Sequence, residues 1–181
     1  CGSATKVIGI QPLLDFILEY FPSPAERESM QGIDPRTGER GARAPKEDEP
    51  LSALVFKTIA DPYAGKISLL RVSSGILTPD SLVLNTAKGA KERIGQLVTL
   101  RGKQQIPVEG ISVGDLGAVA KLKETVTGDT LSDEKHPVQF DPIRIPNPVI
   151  EYAIEPKAKG DEEKISLALS RLQEEDPTLK V

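Results

Sequence analysis

The chain has 181 residues, of which 38% are hydrophobic and 28% are charged, and its formal net charge is -4. This length suits one well-formed core with attached pieces. The acidic balance argues against a protein built wholly around nucleic acid, while leaving room for a local basic patch. No apolar run approaches the roughly 20 residues that span a bilayer, and no secretory signal pattern opens the chain. We therefore expect neither a membrane nor DNA as a partner.

Cysteine and histidine are too scarce for the common metal and hydrolase sites. Cys1 is the single cysteine and His136 the single histidine, so a disulfide, a Cys/His metal cluster or a Ser/His/Asp triad cannot form within the chain. We predict no metal site, no catalytic residue and a reducing, cytoplasmic setting. The chain starts at Cys1 and its single methionine is Met30, so we expect residue 1 to be a cut inside a longer polypeptide.

The N-terminal 50 residues predict a loop, a helix and a linker. Pro12 suits the first turn of a helix. Apolar residues follow it at helical spacing, at Leu14, Ile17, Leu18 and Phe21. Apolar side chains on other faces of this helix predict that it is covered on more than one side. Residues 25–50 are polar and rich in Gly and Pro, and their 34–38 stretch predicts a turn, which is either the tip of a small hairpin or part of a disordered tether.

Short strands alternate with turn signals between residues 51 and 131. The predicted strands are 51–56, 67–72, 82–84, 94–100, 113–119 and 121–126. Turns are predicted between them, for example at Asp61-Pro62, Lys88-Gly89 and Thr127-Gly128-Asp129. Because no long helical pattern intervenes, the segment predicts an antiparallel barrel or sandwich. The low aromatic content of 4% favours a barrel with a small aliphatic interior.

The C-terminal part predicts the opening of an α+β domain. Residues 139–147 form a second Pro-rich linker, and 149–154 alternate as a strand. A helix is predicted at about 161–175, with acidic residues in its first turn and one apolar face. That face carries Ile165, Ala168, Leu169 and Leu172. A second strand is predicted to begin at Thr178.

Ordered motifs along nearly the whole chain resemble those of the translation elongation factor G family. They include Cys1-Gly2-Ser3-Ala4-Thr5-Lys6, Arg71-Val72, Lys91-Glu92-Arg93-Ile94-Gly95, Gly114-Asp115, Thr127-Gly128-Asp129-Thr130-Leu131 and Glu174-Glu175-Asp176-Pro177. The resemblance implies that 1–24 are the C-terminal loop and helix of a GTPase domain, 25–50 a linker and 51–138 the β-barrel of the second domain. It implies further that 139–147 are a linker and 148–181 the start of a third, ferredoxin-like domain that is truncated here.

The resemblance also implies a function. The family couples GTP hydrolysis to the movement of tRNA and mRNA through the ribosome, with the barrel docked on small-subunit ribosomal RNA. The ribosome and the other domains of the parent are the implied partners, and GTP and Mg the implied cofactors of the parent. The chain has no phosphate-binding loop motif, so we expect neither GTP hydrolysis nor a bound cofactor. Ser3, Ala4 and Thr5 would belong to the guanine loop of the parent, and we expect this end to be disordered here.

The candidate RNA contacts are the basic residues Lys88, Lys91, Arg93 and Arg71, with Arg101 and Lys103 nearby. Lys91 and Arg93 are two residues apart, so they project on the same side of a strand and can form a paired contact with phosphates. The alternative is a solvated barrel edge, where lysine prevents strand pairing. The resemblance to the family favours RNA contact over the solvated edge. The scarcity of aromatics predicts contact with the RNA backbone rather than stacking on bases.

Some alternatives stay open at this point. Thr5 stands where an aromatic residue is common in the family, and Gln96-Leu97 replaces a more basic continuation. The parent is therefore either the main elongation factor or a specialised paralogue, with a ribosomal-protection protein as a more distant relative. A purely architectural module that links the nucleotide domain to the third domain is a further alternative. Asp115 and Asp129 are interpreted as turn residues rather than as an acid/base pair.

Overall fold

The computed structural model describes residues 1–61, 65–102, 104–156, 158 and 160–181. Helix α1 spans Ile10–Tyr20, a short 3-10 turn follows at Pro24–Glu26, and helix α2 spans Glu162–Glu175. The strands are β1 Met30–Ile33, β2 Arg40–Arg43, β3 Ser52–Asp61, β4 Gly65–Ser74, β5 Ile76–Leu77, β6 Leu82–Asn85, β7 Ala90–Arg93, β8 Leu97–Arg101, β9 Gln104–Val108, β10 Ile111–Ser112, β11 Leu116–Ala120 and β12 Thr130–Ser132. The predicted mainly β fold with an N-terminal helix is confirmed. Pro62, Lys103 and Lys157, which entered the sequence predictions, lie outside the described residues.

One eight-stranded antiparallel sheet dominates the molecule. Its strand order is β7-β6-β12-β3-β4-β11-β8-β9. The long β3–β4 pair lies at the centre and runs from Ser52 opposite Ser74 to Asp61 opposite Gly65. Two small sheets join β5 with β10 and β1 with β2. The antiparallel arrangement predicted from the short alternating strands is therefore confirmed.

The sheet curls around a single aliphatic interior. Val83 of β6 and Leu97 of β8 come from opposite halves of the sheet, yet both belong to the same buried cluster as Leu70 of β4. Burying one such side chain stabilises the fold by about 1.5 to 3 kcal/mol. A second, smaller cluster contains Ile67, Val98 and Ala118. It lies on the other face of the sheet, because Val98 and Ala118 are adjacent in their strands to Leu97 and Val119 of the first cluster. The interior is therefore built from small aliphatic residues, in agreement with the low aromatic content.

Several strand predictions in the barrel need correction. The strand predicted at 113–119 begins only at Leu116, after a turn in which Gly114 has φ 88°, and strand β9 was not predicted. The strand predicted at 94–100 begins only at Leu97, and the preceding charged residues 90–93 form β7. The strand predicted at 121–126 is wrong, because these residues form a loop in which Lys121 has φ 64°. The N–H groups of Lys123, Glu124 and Thr125 in this loop donate to the Glu92 carboxylate instead of to a neighbouring strand. The Glu92 side chain thus accepts the backbone hydrogen bonds that a neighbouring strand would accept in a sheet.

The stretch predicted as a linker, 25–50, contains an antiparallel hairpin formed by β1 and β2. Its turn is closed by a 2.8 Å hydrogen bond from the Gly38 N–H to the Asp34 carbonyl oxygen. Ile33 pairs with Gln139, and a Cβ on Gly32 would lie 2.6 Å from a Val138 methyl carbon. Of the two alternatives for this turn, the structure forms the hairpin, and it packs closely against the chain that follows the barrel.

The terminal segments agree with the predictions only in part. Helix α2 is confirmed, and it reaches the barrel through a 2.6 Å hydrogen bond from the Ala60 N–H to Glu175 Oε1. The strands predicted at 149–154 and from Thr178 are wrong, because these residues have no pairing partner among the described residues. A strand of a β-sheet pairs its backbone N–H and C=O groups with those of a neighbouring strand.

Helix α1 has no buried residue, so the predicted cover for its apolar faces does not come from the described part of the chain. Neither helix in that part has the length and apolar character needed to cross a membrane.

Candidate nucleic-acid interface

The basic motif lies on the antiparallel hairpin of β6 and β7. Leu84 pairs with Lys91, and Leu82 pairs with Arg93. Along β7 the side chains of Lys91 and Arg93 are exposed, while Glu92 between them is buried. Because successive strand residues face opposite sides of a sheet, the two cations share the outer face. The hairpin therefore presents a lysine and an arginine side by side to solvent.

Glu92 fixes this hairpin to the rest of the barrel. Glu92 is only 4% exposed. Its carboxylate accepts hydrogen bonds from the N–H groups of Lys123 at 3.1 Å, Glu124 at 2.7 Å and Thr125 at 3.0 Å. The Thr125 hydroxyl is a further donor, at 3.0 Å. One carboxylate thus satisfies three backbone donors of the 121–126 loop and holds that loop against β7.

The pKa of the Glu92 carboxyl lies below its ordinary value. Burial by itself raises this pKa, because a low-dielectric site disfavours the charged form. The hydrogen bonds from the three N–H groups and the hydroxyl favour the carboxylate and outweigh burial. Glu92 is therefore ionised at neutral pH and stabilises the loop as an anion.

A second buried group anchors the turn of the hairpin. Asn85 is fully buried; its Nδ2 donates to Asp129 Oδ2 at 2.7 Å, and its Oδ1 accepts from the Lys88 N–H at 3.2 Å. Asp129 also accepts from the Val126 N–H at 2.9 Å, which agrees with its interpretation as a turn residue. The turn of the hairpin is therefore held by polar contacts as well as by the strand pairing beside it.

The hairpin is less positive than its sequence suggests, because each cation has an acidic neighbour. Lys91 Nζ lies 2.8 Å from Glu134 Oε1, and an Arg93 guanidinium nitrogen lies 3.3 Å from Asp80 Oδ1. Lys88 Nζ lies 4.0 Å from Asp129 Oδ2 and also donates to the Glu124 carbonyl oxygen. The Lys91 and Arg93 side chains are 55% and 73% exposed. Exposed ion pairs contribute only about 0 to 1 kcal/mol, so a phosphate can replace either carboxylate at little cost.

Arg71 does not join this group. It lies on β4, which is separated from β7 in the sheet by β3, β12 and β6. Arg71 instead lines a cleft beside the β1–β2 hairpin. Arg101, at the end of β8, is exposed. The structure thus places Lys88, Lys91 and Arg93 on one hairpin and Arg71 elsewhere.

The segment predicted as a guanine loop, Ser3 to Thr5, is a closed turn rather than the disordered end that we expected. Ser3 and Ile8 exchange two backbone hydrogen bonds of 2.9 and 3.0 Å. Ser3 Oγ lies 3.3 Å from Thr5 Oγ1, and the Val7 N–H donates to the Ala4 carbonyl oxygen at 3.2 Å. The chain's own backbone therefore orders the turn. In the described part of the chain, no group of three or more His, Cys, Asp or Glu residues could hold a metal ion.

Sequence reasoning missed Glu92 and Asn85 as the residues that position the hairpin. A signal was present for Glu92, since it has the same strand parity as the buried Ile94 and the opposite parity to Lys91 and Arg93. A charged residue on the inner face of a strand must find buried partners. Asn85 follows the apolar stretch 82–84, which offers no comparable signal. Its partner Asp129 lies 44 residues further along the chain, so the sequence alone does not reveal the pair.

Comparisons with known proteins agree along the chain. The protein-family model described as elongation factor G domain 2 matches residues 50–134. The family model described as elongation factor G, domain III matches residues 145–181. A crystal structure of a protein from Thermus thermophilus matches with a TM-score of 0.74 and 33% sequence identity. The match covers 97% of this chain and 24% of that chain. The present chain thus spans about a quarter of the length of that protein.

Proposed function

The chain belongs to the elongation factor G family, and we propose that its barrel docks on the small ribosomal subunit within a translational GTPase. In this proposal the whole protein binds GTP and Mg through a domain other than the barrel, acts in the cytoplasm and uses hydrolysis to drive translocation. The barrel contributes a fixed attachment to ribosomal RNA. The Ser3 to Thr5 turn contributes to the guanine pocket only in that whole protein.

The observation that carries the proposal is the anchored β6–β7 hairpin. Lys91 and Arg93 project from one face of β7, and the buried Glu92 between them holds the strand in place. Preorganised cations lose less conformational freedom when they meet phosphates. Arginine can bind a phosphate through two parallel N–H bonds, and lysine acts as a compact point charge. This pairing fits an RNA backbone and needs no contact with bases.

Docking on RNA exchanges the ion pairs within the hairpin region for ion pairs with phosphates. In the free chain Lys91 is paired with Glu134 and Arg93 with Asp80. RNA phosphates carry a denser negative charge than two isolated carboxylates, and their neutralisation releases counterions. Binding is therefore expected to be weak for the chain alone and strongly dependent on salt.

A second candidate function is architectural. Helix α2 contacts the end of β3 through the Glu175 carboxylate and the Ala60 N–H, and the β1–β2 hairpin packs on residues 138–140. These contacts support a module that holds the neighbouring parts of a larger protein in a fixed arrangement without touching RNA. This function predicts that changes at the basic hairpin have no effect on ribosome binding.

Co-sedimentation of the chain with purified small ribosomal subunits separates the two functions. We expect the Lys91→Glu/Arg93→Glu double variant to lose most of its binding, because like charges then face the RNA. The matched control is Lys6→Glu/Arg144→Glu, which makes the same change in net charge at exposed residues outside the hairpin. Equal loss in both double variants, or in neither, would refute docking through the hairpin.

A further inference from the structure

Three arginines line a cleft that the ribosome-docking proposal does not use. The cleft has a volume of about 280 Å³ and lies between the 24–28 segment, the β1–β2 hairpin and β4 of the barrel. Arg27, Arg43 and Arg71 each come from a different one of these parts, and Glu28 is the one acidic residue among the described residues of the lining. The lining therefore carries three positive charges and one negative charge.

These arginines are poorly neutralised by the protein. Arg27 and Arg71 form no ion pair or side-chain hydrogen bond among the described residues. Arg43 donates from its terminal nitrogens to the carbonyl oxygens of Ala42 and His136, but its buried Nε has no hydrogen-bond acceptor in the described part of the chain. A buried guanidinium donor without an acceptor costs free energy. Glu28 is thus the one carboxylate that faces these three positive charges among the described residues of the lining.

The walls of the cleft are held together tightly. Gly114 lines it from the barrel side, and a Cβ on this residue would lie 2.3 Å from Pro24 Cβ. On the opposite side, Gly32 brings the hairpin close to residues 138–140. The three arginines are therefore carried by elements that pack closely against one another.

We propose that this cleft binds a phosphate group, with Arg27 and Arg71 as its ligands and Arg43, whose terminal nitrogens donate to backbone carbonyl oxygens, adding positive charge to its wall. The planar fork of arginine matches the oxygens of a phosphate, and a phosphate monoester carries about -1.5 to -2 charges at neutral pH. The lining of three arginines and one glutamate matches that charge better than the single charge of a carboxylate. The volume lies just below the roughly 300 to 1,000 Å³ of sites for larger ligands, so a small anion or one segment of a phosphodiester backbone fits.

Isothermal titration calorimetry with pyrophosphate, at constant ionic strength, tests the proposal on the intact chain. We expect saturable binding that weakens about tenfold in Arg71→Gln and in Arg27→Gln, since each variant loses a charge-assisted hydrogen bond. Arg101→Gln, an exposed change on the same barrel, should bind as the parent does. Arg27 is itself exposed, so its variant is expected to fold normally, and thermal unfolding checks this for all three.

Absence of pyrophosphate binding, or equal binding by the parent and the Arg27→Gln and Arg71→Gln variants, would overturn the proposal. A second arm identifies the source of the phosphate. Displacement of pyrophosphate by a short single-stranded RNA would assign the cleft to an RNA backbone. Retention of pyrophosphate under the same conditions would assign it to a free phosphate compound.

Discussion

At the scale of single residues, Glu92 places a negative charge within the barrel wall, where burial would ordinarily favour the protonated acid. Its charge persists because the carboxylate satisfies three backbone N–H groups of one loop. Buried donors of this kind would otherwise lack partners, at a cost of roughly 1 to 3 kcal/mol each. One carboxylate thus stabilises the 121–126 loop and holds the backbone of β7, which carries Lys91 and Arg93, against that loop.

We predict that Glu92→Gln lowers the free energy of unfolding at pH 7 by about 2 to 3 kcal/mol, since an amide accepts these hydrogen bonds less well than a carboxylate. Urea denaturation measures the change. Glu124→Gln is the matched control, because it makes the same substitution at an exposed position of the loop that Glu92 holds. The control should unfold at the same urea concentration as the parent.

The pH dependence of this difference has a definite sign. Because the pKa of Glu92 is lowered in the folded protein, its stabilisation is complete above the ordinary glutamate pKa of about 4.3. The stabilisation is lost as the pH falls through the lower, folded-state value. The gap between parent and Glu92→Gln should therefore be constant from pH 7 to about 5 and shrink below about 4. A gap that grows on acidification would contradict the assignment.

Gly114 supports a second prediction at this scale. Its φ is 88°, and an added Cβ would lie 2.3 Å from Pro24 Cβ. Gly128 has a similar φ of 97° but open space around it. We expect Gly128→Ala to cost about 1 to 2 kcal/mol from backbone strain alone. Gly114→Ala should cost about 1 to 3 kcal/mol more from the clash. Equal urea midpoints for the two variants would show that Pro24 does not pack against Gly114.

At the scale of elements, the β6–β7 hairpin carries both its cations and the acids that compete for them. If Lys91 contacts phosphate, then Glu134 must first release it. We predict that Glu134→Gln raises the affinity of the chain for small ribosomal subunits about two- to threefold, in keeping with the small free energy of an exposed ion pair. The binding constant is measured at fixed salt.

The control for this prediction is Glu109→Gln, which removes one negative charge from another exposed position. It separates the specific effect on Lys91 from the general effect of a less acidic chain. An equal rise in affinity for both variants would argue that Lys91 does not meet the RNA.

Sequence patterns predicted the elements whose partners are local and failed where the partner is distant. The alternation in β3 and β4 was sufficient to predict a paired antiparallel core. Residues 121–126 alternate in the same way, yet they form a loop because Glu92 captures their N–H groups. The β1–β2 hairpin packs on residues 138–140 as well, and no local pattern reveals this contact.

The candidate site was predictable to a similar extent. The shared face of Lys91 and Arg93 follows from strand parity alone. Their acidic partners do not, because Asp80 and Glu134 reach the hairpin only through the fold. The separation of Arg71 from the hairpin likewise depends on the strand order of the sheet.

At the scale of the whole molecule, the chain combines a folded barrel with attached elements on both sides. The β1–β2 hairpin packs on residues 138–140, and α2 contacts β3. Helix α1, in contrast, keeps its apolar side chains exposed among the described residues. The proposed function adds that the basic hairpin of this barrel contacts ribosomal RNA.

The salt dependence of binding to small ribosomal subunits tests that claim most directly. The logarithm of the association constant should fall linearly with the logarithm of salt concentration. For Lys91→Gln/Arg93→Gln the slope should be smaller by about two, roughly one for each phosphate contact removed. An unchanged slope in this double variant, with binding intact, would contradict docking of the barrel through its β6–β7 hairpin.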